Sequence, residues 1–290
     1  MSTTIHKYNF KEGLPQEFEV IDFDFLNKEF SNEITQPHRA EFYQIIWFQE
    51  GETTHLVDFN LIQTTPDTIL FVGKDSVQRF DDISGLKGKV ILFTDNFFCK
   101  TEADIKLLKR TILFNDLLSI SQINISNSRS IFSDIIDRIE VELRHSKDKY
   151  QSDILHNNLL NLVLHSERER RKQDFIEIKP NVNLDYALQL KELLNSNFMT
   201  HKKVNFYCEK MNLTSKRLNQ ATTKIFGKTA KEIINERVLL ASKRLLVHTN
   251  ESIKEIAFSI GFEEPTNFIK YFKKQTDKTP VEFRLEFDSA

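Results

Sequence analysis

The last hundred residues of this chain repeat themselves at a shift of 49 positions. Val204 falls on Ile253, Tyr207 on Ile256, Cys208 on Ala257, Met211 on Ile260, Asn212 on Gly261 and Leu213 on Phe262. After one inserted residue, Leu218 falls on Phe268. Each copy sets apolar residues at helical spacing and places a small residue where a second helix must cross closely. A residue tolerant of positive φ then turns the chain, and a hydrophobic residue leads into a new helix. That order is the grammar of a helix-turn-helix. Thr214 stands where it would N-cap the second helix of copy one. Pro265 fits the first turn of its counterpart, where a missing N–H costs nothing. A plain helical bundle is the alternative, but two copies joined by a capped segment, Thr229 to His248, favour a duplicated motif.

The rest of the chain has two other textures. Residues 1–95 read as strands. Tyr43 to Phe48 is rich in aromatic and β-branched residues, Glu50-Gly51-Glu52 makes a turn, and Thr53 to Asn60 sets His55, Val57 and Phe59 on one face. Thr68 to Val72 follows Pro66-Asp67, and Gly88 precedes Val90 to Phe93. Short strands at close spacing predict a sandwich or small barrel. Residues 102–172 read as helices, with one stripe at Ile131, Ile135, Ile139 and Leu143 and a second at Leu155, Leu159, Leu162 and Val163. The two stripes exceed what a small barrel must cover, which points to a homodimer through residues 129–172; the alternative is that both pack back on the barrel. Gln173 to Asn183 is the linker candidate. Beyond it, Thr229-Ala230-Lys231-Glu232 and Ser252-Ile253-Lys254-Glu255 are capping boxes, and Gly227 and Gly261 sit where helices end.

Charge is uneven along the chain. The whole carries 40 Lys+Arg against 42 Asp+Glu, but residues 181–290 carry 18 against 13 and the remainder 22 against 29. A basic back and an acidic front fit one domain that meets nucleic acid and one that does not. Two cysteines, Cys99 and Cys208, make neither a disulfide framework nor a CxxC zinc pair, which suits a reduced, cytoplasmic protein. Residues 1–10 lack the apolar core of a secretory signal, and no apolar run approaches the ~20 residues of a membrane helix. The phosphate-loop, dinucleotide, zinc-protease and nucleophile-elbow motifs are all missing.

Residues 257–284 read AFSIGFEEPTNFIKYFKKQTDKTPVEFR. Ile256-Ala257, Gly261-Phe262, Phe268, Phe272, Thr279-Pro280 and Phe283-Arg284, with Arg237, Ala241 and Leu245-Leu246 upstream, strongly resemble the signature of the AraC/XylS family of bacterial transcription regulators. The resemblance covers roughly residues 184–287. Asp277 stands where the family usually has glycine, so that turn is expected to be strained, and Cys208 replaces its usual alanine. Less specifically, Pro37-His38-Arg39, Phe42 to Trp47, Asp67 to Phe71 and Gly88 to Phe97 resemble the cupin-like sensor domain of these regulators.

The resemblance implies an α+β chain: a cupin-like effector-sensing sandwich or barrel over 1–98, a helical linker and dimerisation segment over 99–175, and an all-α double helix-turn-helix domain over 184–290. It implies a homodimer that binds double-stranded promoter or operator DNA through two recognition helices in adjacent major grooves, about 34 Å apart. A small-molecule effector in the front domain and, for an activator, RNA polymerase are the further partners; no cofactor and no membrane are expected. On Thr214–Phe226, with Leu218 and Ala221 inward, Lys216, Asn219, Gln220 and Thr223 face out. On Glu264–Gln275, with Phe268 and Phe272 inward, Thr266, Asn267, Lys270 and Tyr271 do so. These are the expected base readers, since Asn and Gln match adenine and Lys reaches guanine. Lys224, Lys228, Lys273 and Lys274 are expected on phosphate. Arg237 and Arg284 suit structural bonds to helix ends or a carboxylate.

A cupin fold also raises a metal-dependent enzyme. Such sites converge two or three His, usually with a Glu and a His-x-His pair. Here His38 is followed by Arg39-Ala40, the later strand offers Gln78-Arg79, and nothing brings His55 and Glu41 together, so no metal ligand or catalytic residue is assigned. His38, Arg39, His55 and Arg79 are the effector-pocket candidates, the arginines to grip an anion. Two alternatives stand beside this assignment: a metal-dependent cupin enzyme fused to a DNA-binding domain, and a regulator with no small-molecule effector.

Overall fold

The structure is a computed structural model that describes residues 6–10, 14, 16–114, 120–173 and 181–288. The chain divides into two compact units, one over His6–Glu177 and one from Ile178 onward. Most of the stretch read as a linker, residues 174–180, lies outside the described residues.

The first unit runs β1 (His6–Tyr8), β2 (Phe18–Asp22), α1 (Phe23–Ile34), β3 (His38–Ala40), β4 (Tyr43–Glu50), β5 (Thr53–Val57), β6 (Asn60–Thr64), β7 (Thr68–Val72), β8 (Val77–Phe80) and β9 (Lys87–Phe93). It continues through α2 (Asp95–Phe98), α3 (Glu102–Arg110), β10 (Ser121–Asn124), α4 (Arg129–Arg144) and α5 (Gln151–Lys172). The strands form two five-stranded sheets, ordered β1-β3-β8-β5-β6 and β10-β7-β4-β9-β2. Every pairing is antiparallel except β1 with β3.

Burial explains the strand patterns. β5 alternates buried and half-buried residues because only one face is covered. All five residues of β7 and the run Gln44 to Phe48 of β4 are buried, because the second sheet is covered on both sides. Its inner face puts Ile46, Phe48, Leu70, Val72 and Val90 against Val57, Ile62 and Phe80 of the first sheet and Phe23 of α1. Its outer face packs Ile45, Trp47, Ile69, Phe71 and Ile91 against Phe132, Ile135 and Ile139 of α4 and Leu155, Leu159 and Leu162 of α5.

Four expectations are corrected here. The two helical stripes fill this outer layer, so they are not surplus apolar surface left for a partner, although Ile131 at the first stripe's head is exposed. Residues 1–95 are not all strand, since α1 interrupts them; residues 102–172 are not all helix, since β10 pairs with β7. Thr53 to Asn60 is not one strand: Asp58, at φ 52°, and Phe59 turn β5 into β6.

The second unit is helical throughout its described residues: α6 (Val182–Asn197), α7 (Val204–Met211), α8 (Ser215–Phe226), α9 (Ala230–His248), α10 (Ile253–Ser259), α11 (Pro265–Thr276) and α12 (Pro280–Asp288). No described helix in either unit is long and apolar enough to cross a membrane. Three reciprocal capping boxes punctuate the described residues of the second unit. Glu232 accepts from Thr229 N, Glu255 from Ser252 N and Glu282 from Thr279 N, each at 2.7 Å. Each hydroxyl in turn accepts from the amide of its glutamate. The box at Thr279 was not among those read from the sequence.

Candidate nucleic-acid interface

The duplication survives at the level of single hydrogen bonds. Copy one is α7 and α8; copy two is α10 and α11. Leu213 N donates to Cys208 O and Phe262 N to Ala257 O, both at 2.9 Å, so the same bond closes both turns. Asn212, at φ 52°, and Gly261, at φ 76°, are the left-handed residues between. The small residue of copy one, Cys208, is buried with Sγ 3.6 Å from Ser215 Oγ at the start of α8.

Each second helix is packed on one side and open on the other. Leu218, Ala221 and Ile225 of α8 are buried, as are Phe268 and Phe272 of α11. The open side of α8 carries Lys216, Gln220, Thr223 and Lys224; that of α11 carries Thr266, Asn267, Lys270, Lys273 and Lys274. Amide, hydroxyl and ammonium groups in one exposed row can meet base edges and phosphates together.

Three of the expected contact residues are engaged elsewhere. Asn219 is half-buried, and its Oδ1 accepts from Ala230 N at 3.0 Å, satisfying an orphan amide at the start of α9. Tyr271 is also half-buried rather than exposed. Its hydroxyl donates to Asn235 O at 2.7 Å, its ring lies 5.3 Å from Phe262, and burial pushes its phenol well above the usual range. Lys228 pairs with Glu236 at 2.8 Å. Thr214 caps α8 by accepting from Arg217 N, and Pro265 occupies the first turn of α11.

Sequence reasoning passed over Arg217. Its Nη1 donates to Asn183 Oδ1 at 2.8 Å and to Gln220 Oε1 at 3.0 Å, and its guanidinium lies 5.2 Å from the centre of the Tyr186 ring. It holds Gln220 at the edge of the open face. Arg284 has the bonds to a helix end expected of it, whereas Arg237 bonds a side-chain amide, a partner not among those expected. Arg237 Nε donates to Asn195 Oδ1 at 3.1 Å, and Arg284 donates to Leu246 O at 2.8 Å and Glu251 O at 2.7 Å. Asp277 takes a left-handed φ of 60°, a conformation in which its Cβ is strained.

The four effector-pocket candidates do not converge. His38 and His55 are buried on the inner face of the first sheet. His38 Nδ1 donates to Gln36 O at 3.0 Å, and His55 Nε2 lies 2.9 Å from Gln78 Oε1. Burial lowers the His55 pKa to about 3, so its ring is neutral at pH 7. Arg39 and Arg79 alternate with inward residues along β3 and β8 and face outward; Arg39 is exposed, and Arg79 lies 3.8 Å from Asp81. Neither can grip an anion beside the two histidines. Glu41 is half-exposed and ion-paired to Lys7. Among the described residues, no group of three or more His, Cys, Asp or Glu is placed to hold a metal ion.

Comparison with known proteins bears on the second unit. The family model described as a helix-turn-helix domain matches residues 207–286. The Msm operon regulatory protein of Streptococcus mutans is 32% identical over 104 residues, covering 36% of this chain and 37% of the relative. The lactose operon transcription activator of Staphylococcus xylosus is 26% identical over 107 residues, 37% of each chain. These alignments span little more than a third of either relative. The transcriptional activator RhaR of an Enterobacter species aligns over 254 residues at 20% identity, 85% of this chain and 86% of the relative. Among solved structures, the C-terminal domain of the response regulator yesN from Fusobacterium nucleatum is 27% identical, covering 33% of this chain and 93% of that one, with a TM-score of 0.31. ToxT from Vibrio cholerae is 16% identical over 93% of this chain and 95% of that one, with a TM-score of 0.44. The duplicated turns and the matched domain identify the C-terminal region as a helix-turn-helix domain, similar to the C-terminal part of the bacterial operon regulators aligned with it.

Proposed function

We propose that this chain is a transcription regulator that binds double-stranded promoter or operator DNA sequence-specifically, with α8 and α11 in adjacent major grooves. The observation that carries this is the pair of open faces on two helices related by the internal repeat, in the C-terminal segment with excess positive charge. Lys216, Gln220, Thr223, Thr266, Asn267 and Lys270 read bases; Lys224, Lys273 and Lys274 hold phosphate. Asn219, Tyr271 and Lys228 have structural partners and contribute second. A small molecule controls the protein from the first unit, where His38, His55 and Gln78 supply buried polar groups and Arg39 and Arg79 do not take part. The chain acts in the cytoplasm as a homodimer and, where it activates, meets RNA polymerase. Exposed Ile154 and Leu164 on one side of α5 support the dimer, in place of the stripes that the sheet consumes.

The test is selection of duplexes from a random-sequence pool by the full chain, followed by titration of the selected fragment and a scrambled one at several salt concentrations. A selected fragment bound well above the scrambled one, with affinity falling steeply as salt rises, is the expected result. Equal binding of both at moderate salt would refute sequence-specific binding.

A further inference from the structure

We infer that Lys202 is a positioning residue for DNA reading: it clips the loop that leads into copy one onto the turn of copy two, and so fixes the mutual setting of the two reading helices. This rests on α8 and α11 being those helices.

The Lys202 ammonium donates to Met199 O at 2.8 Å and to Gly261 O at 2.9 Å. The first carbonyl belongs to the loop between α6 and α7, the second to the left-handed residue between α10 and α11. The ammonium also lies 4.9 Å from the centre of the Phe262 ring, a cation–π contact in the same turn. From the other side, Lys231 at the start of α9 donates through Nζ to Lys202 O at 3.2 Å. One lysine thus gathers three segments.

The loop that carries it is itself held. His201 N donates to Asn197 O at 2.8 Å, Tyr207 OH donates to His201 O at 2.7 Å, and the His201 ring stacks on Phe206 at 3.7 Å. The turn it grips has no room to spare. A Cβ built on Gly261 would fall well inside contact distance of Met199 O and 3.0 Å from Lys202 Nζ. Backbone therefore meets backbone at this point, and the ammonium bridges the two carbonyls where they would otherwise repel.

A lysine meant for phosphate extends into solvent. This one is half-buried, and burial first, with the nearby Lys231 charge second, lowers its pKa below the usual lysine range. Its geometry suits a clip rather than a contact. The clip matters because α9 alone, 19 residues long, is a single connecting rod between the two motifs. One added base pair shifts a half-site by about 3.4 Å and rotates it by about 35°. Two heads free to rock on one rod could follow such a change; heads clipped together cannot.

The experiment compares the full chain with Lys202→Met, which keeps the aliphatic stem over Phe262 and removes both carbonyl bonds. The probes are the duplex that the full chain selects from a random pool and versions with one or two base pairs inserted or deleted between its half-sites. The parent should lose about tenfold in affinity per base pair changed. Lys202→Met should lose less than about threefold per base pair, with an unchanged salt slope at the original spacing. A uniform loss at every spacing with the salt slope reduced by about one would make Lys202 a phosphate contact and overturn the proposal. An unchanged spacing profile with a lower melting temperature would also overturn it, leaving only a structural role. A DNA-independent arm separates failure here from failure of the DNA-binding assignment. In the free chain, hydrogen exchange should quicken in residues 198–203 and 259–264 of Lys202→Met while α8 and α11 keep their protection. No change in those two segments would overturn the clip whether or not the parent prefers any DNA.

Discussion

The turn of the first motif is built on Asn212, exposed, at φ 52°; the turn of the second is built on Gly261, at φ 76°, with Met199 O lying where its Cβ would be. The hydrogen bonds that close the two turns match to a tenth of an ångström. Local geometry therefore asks the same of both residues, a positive φ, and asparagine meets it at tolerable cost. What separates them is a neighbour 62 residues away along the chain from Gly261 to Met199. The motifs also differ in how their cores are filled. In copy one, α6 packs along α8, and the buried residues of α8 are Leu218, Ala221, Thr222 and Ile225. In copy two, aromatic rings run from Phe268 to Phe272 and on to Phe283 of α12, with centres 5.8 and 5.3 Å apart. A sequence repeat thus fixes the shape of a motif, and the residue at each matched position then answers to whatever that copy touches.

The largest way to test the difference is to remove an aromatic. Phe268→Ala empties the centre of the second core and should cost about 3–5 kcal/mol, read from the denaturant midpoint of the helical signal. Next comes the pair of turns. Gly261→Ala meets both an unfavourable φ, about 1–2 kcal/mol, and an overlap with Met199 O that adds roughly 1–3 kcal/mol more. Asn212→Gly should stay within about 1 kcal/mol of the parent. If Gly261→Ala proves as mild as Asn212→Gly, close approach is not what selects glycine in copy two.

The third test concerns the open faces. Gln220→Ala should cost roughly 1–3 kcal/mol on the selected duplex and little on a scrambled one. Lys273→Ala should weaken both about equally and flatten the salt slope by about one. Tyr271→Phe marks the limit of copy two's open face: it should cost about 1 kcal/mol of stability, from the lost bond to Asn235 O, and leave the preference between duplexes intact. A change of preference without loss of stability would return Tyr271 to the base readers.

How far these faces were legible depends on angle around the helix. Lys216, Gln220, Thr266 and Lys270 lie well away from the buried residues, and the 3.6-residue period places them correctly; Asn267 adjoins Phe268 yet stays exposed. Asn219 and Tyr271 each adjoin a core residue, Leu218 and Phe272, on the border where reach decides; their partners on α9 are not visible in a local pattern. Lys202 and Arg217 were missed for the same reason. In the first unit, Phe23, Leu26, Phe30 and Ile34 of α1 recur at helical spacing and were passed over inside a stretch read as strands, while the four residues of β10 are too short to display alternation. The stripes of α4 and α5 were legible, but a stripe names a covered face and not its cover. The cover was hinted at by the unbroken apolar runs of β4 and β7, which only a sheet buried on both sides requires.

The smallest effect separates the motifs by pH. In copy two, α10 starts on Ser252 and Glu255, and Glu282 of the next box starts the helix that closes its core. Backbone amides donating to these carboxylates, with the box hydroxyls adding to them, hold both glutamates below the usual carboxylate range. In copy one, α7 starts at Lys203 without a side-chain cap, and α8 starts on the Thr214 hydroxyl; neither start uses a carboxylate. A carboxylate whose folded pKa is depressed contributes its full stabilisation above the unfolded value, about 4.3, and loses it as pH falls through the lower folded value. Hydrogen-exchange protection at the starts of α10 and α12 should therefore fall between about pH 5 and pH 3, while the start of α8 keeps its protection over that range. Glu255→Gln should remove the acid sensitivity at α10 alone, because the neutral amide can still accept from Ser252 N but no longer titrates. If the start of α8 loosens in step with that of α10, the carboxylates are not what distinguishes the two motifs, and the difference between them lies in the turns and cores.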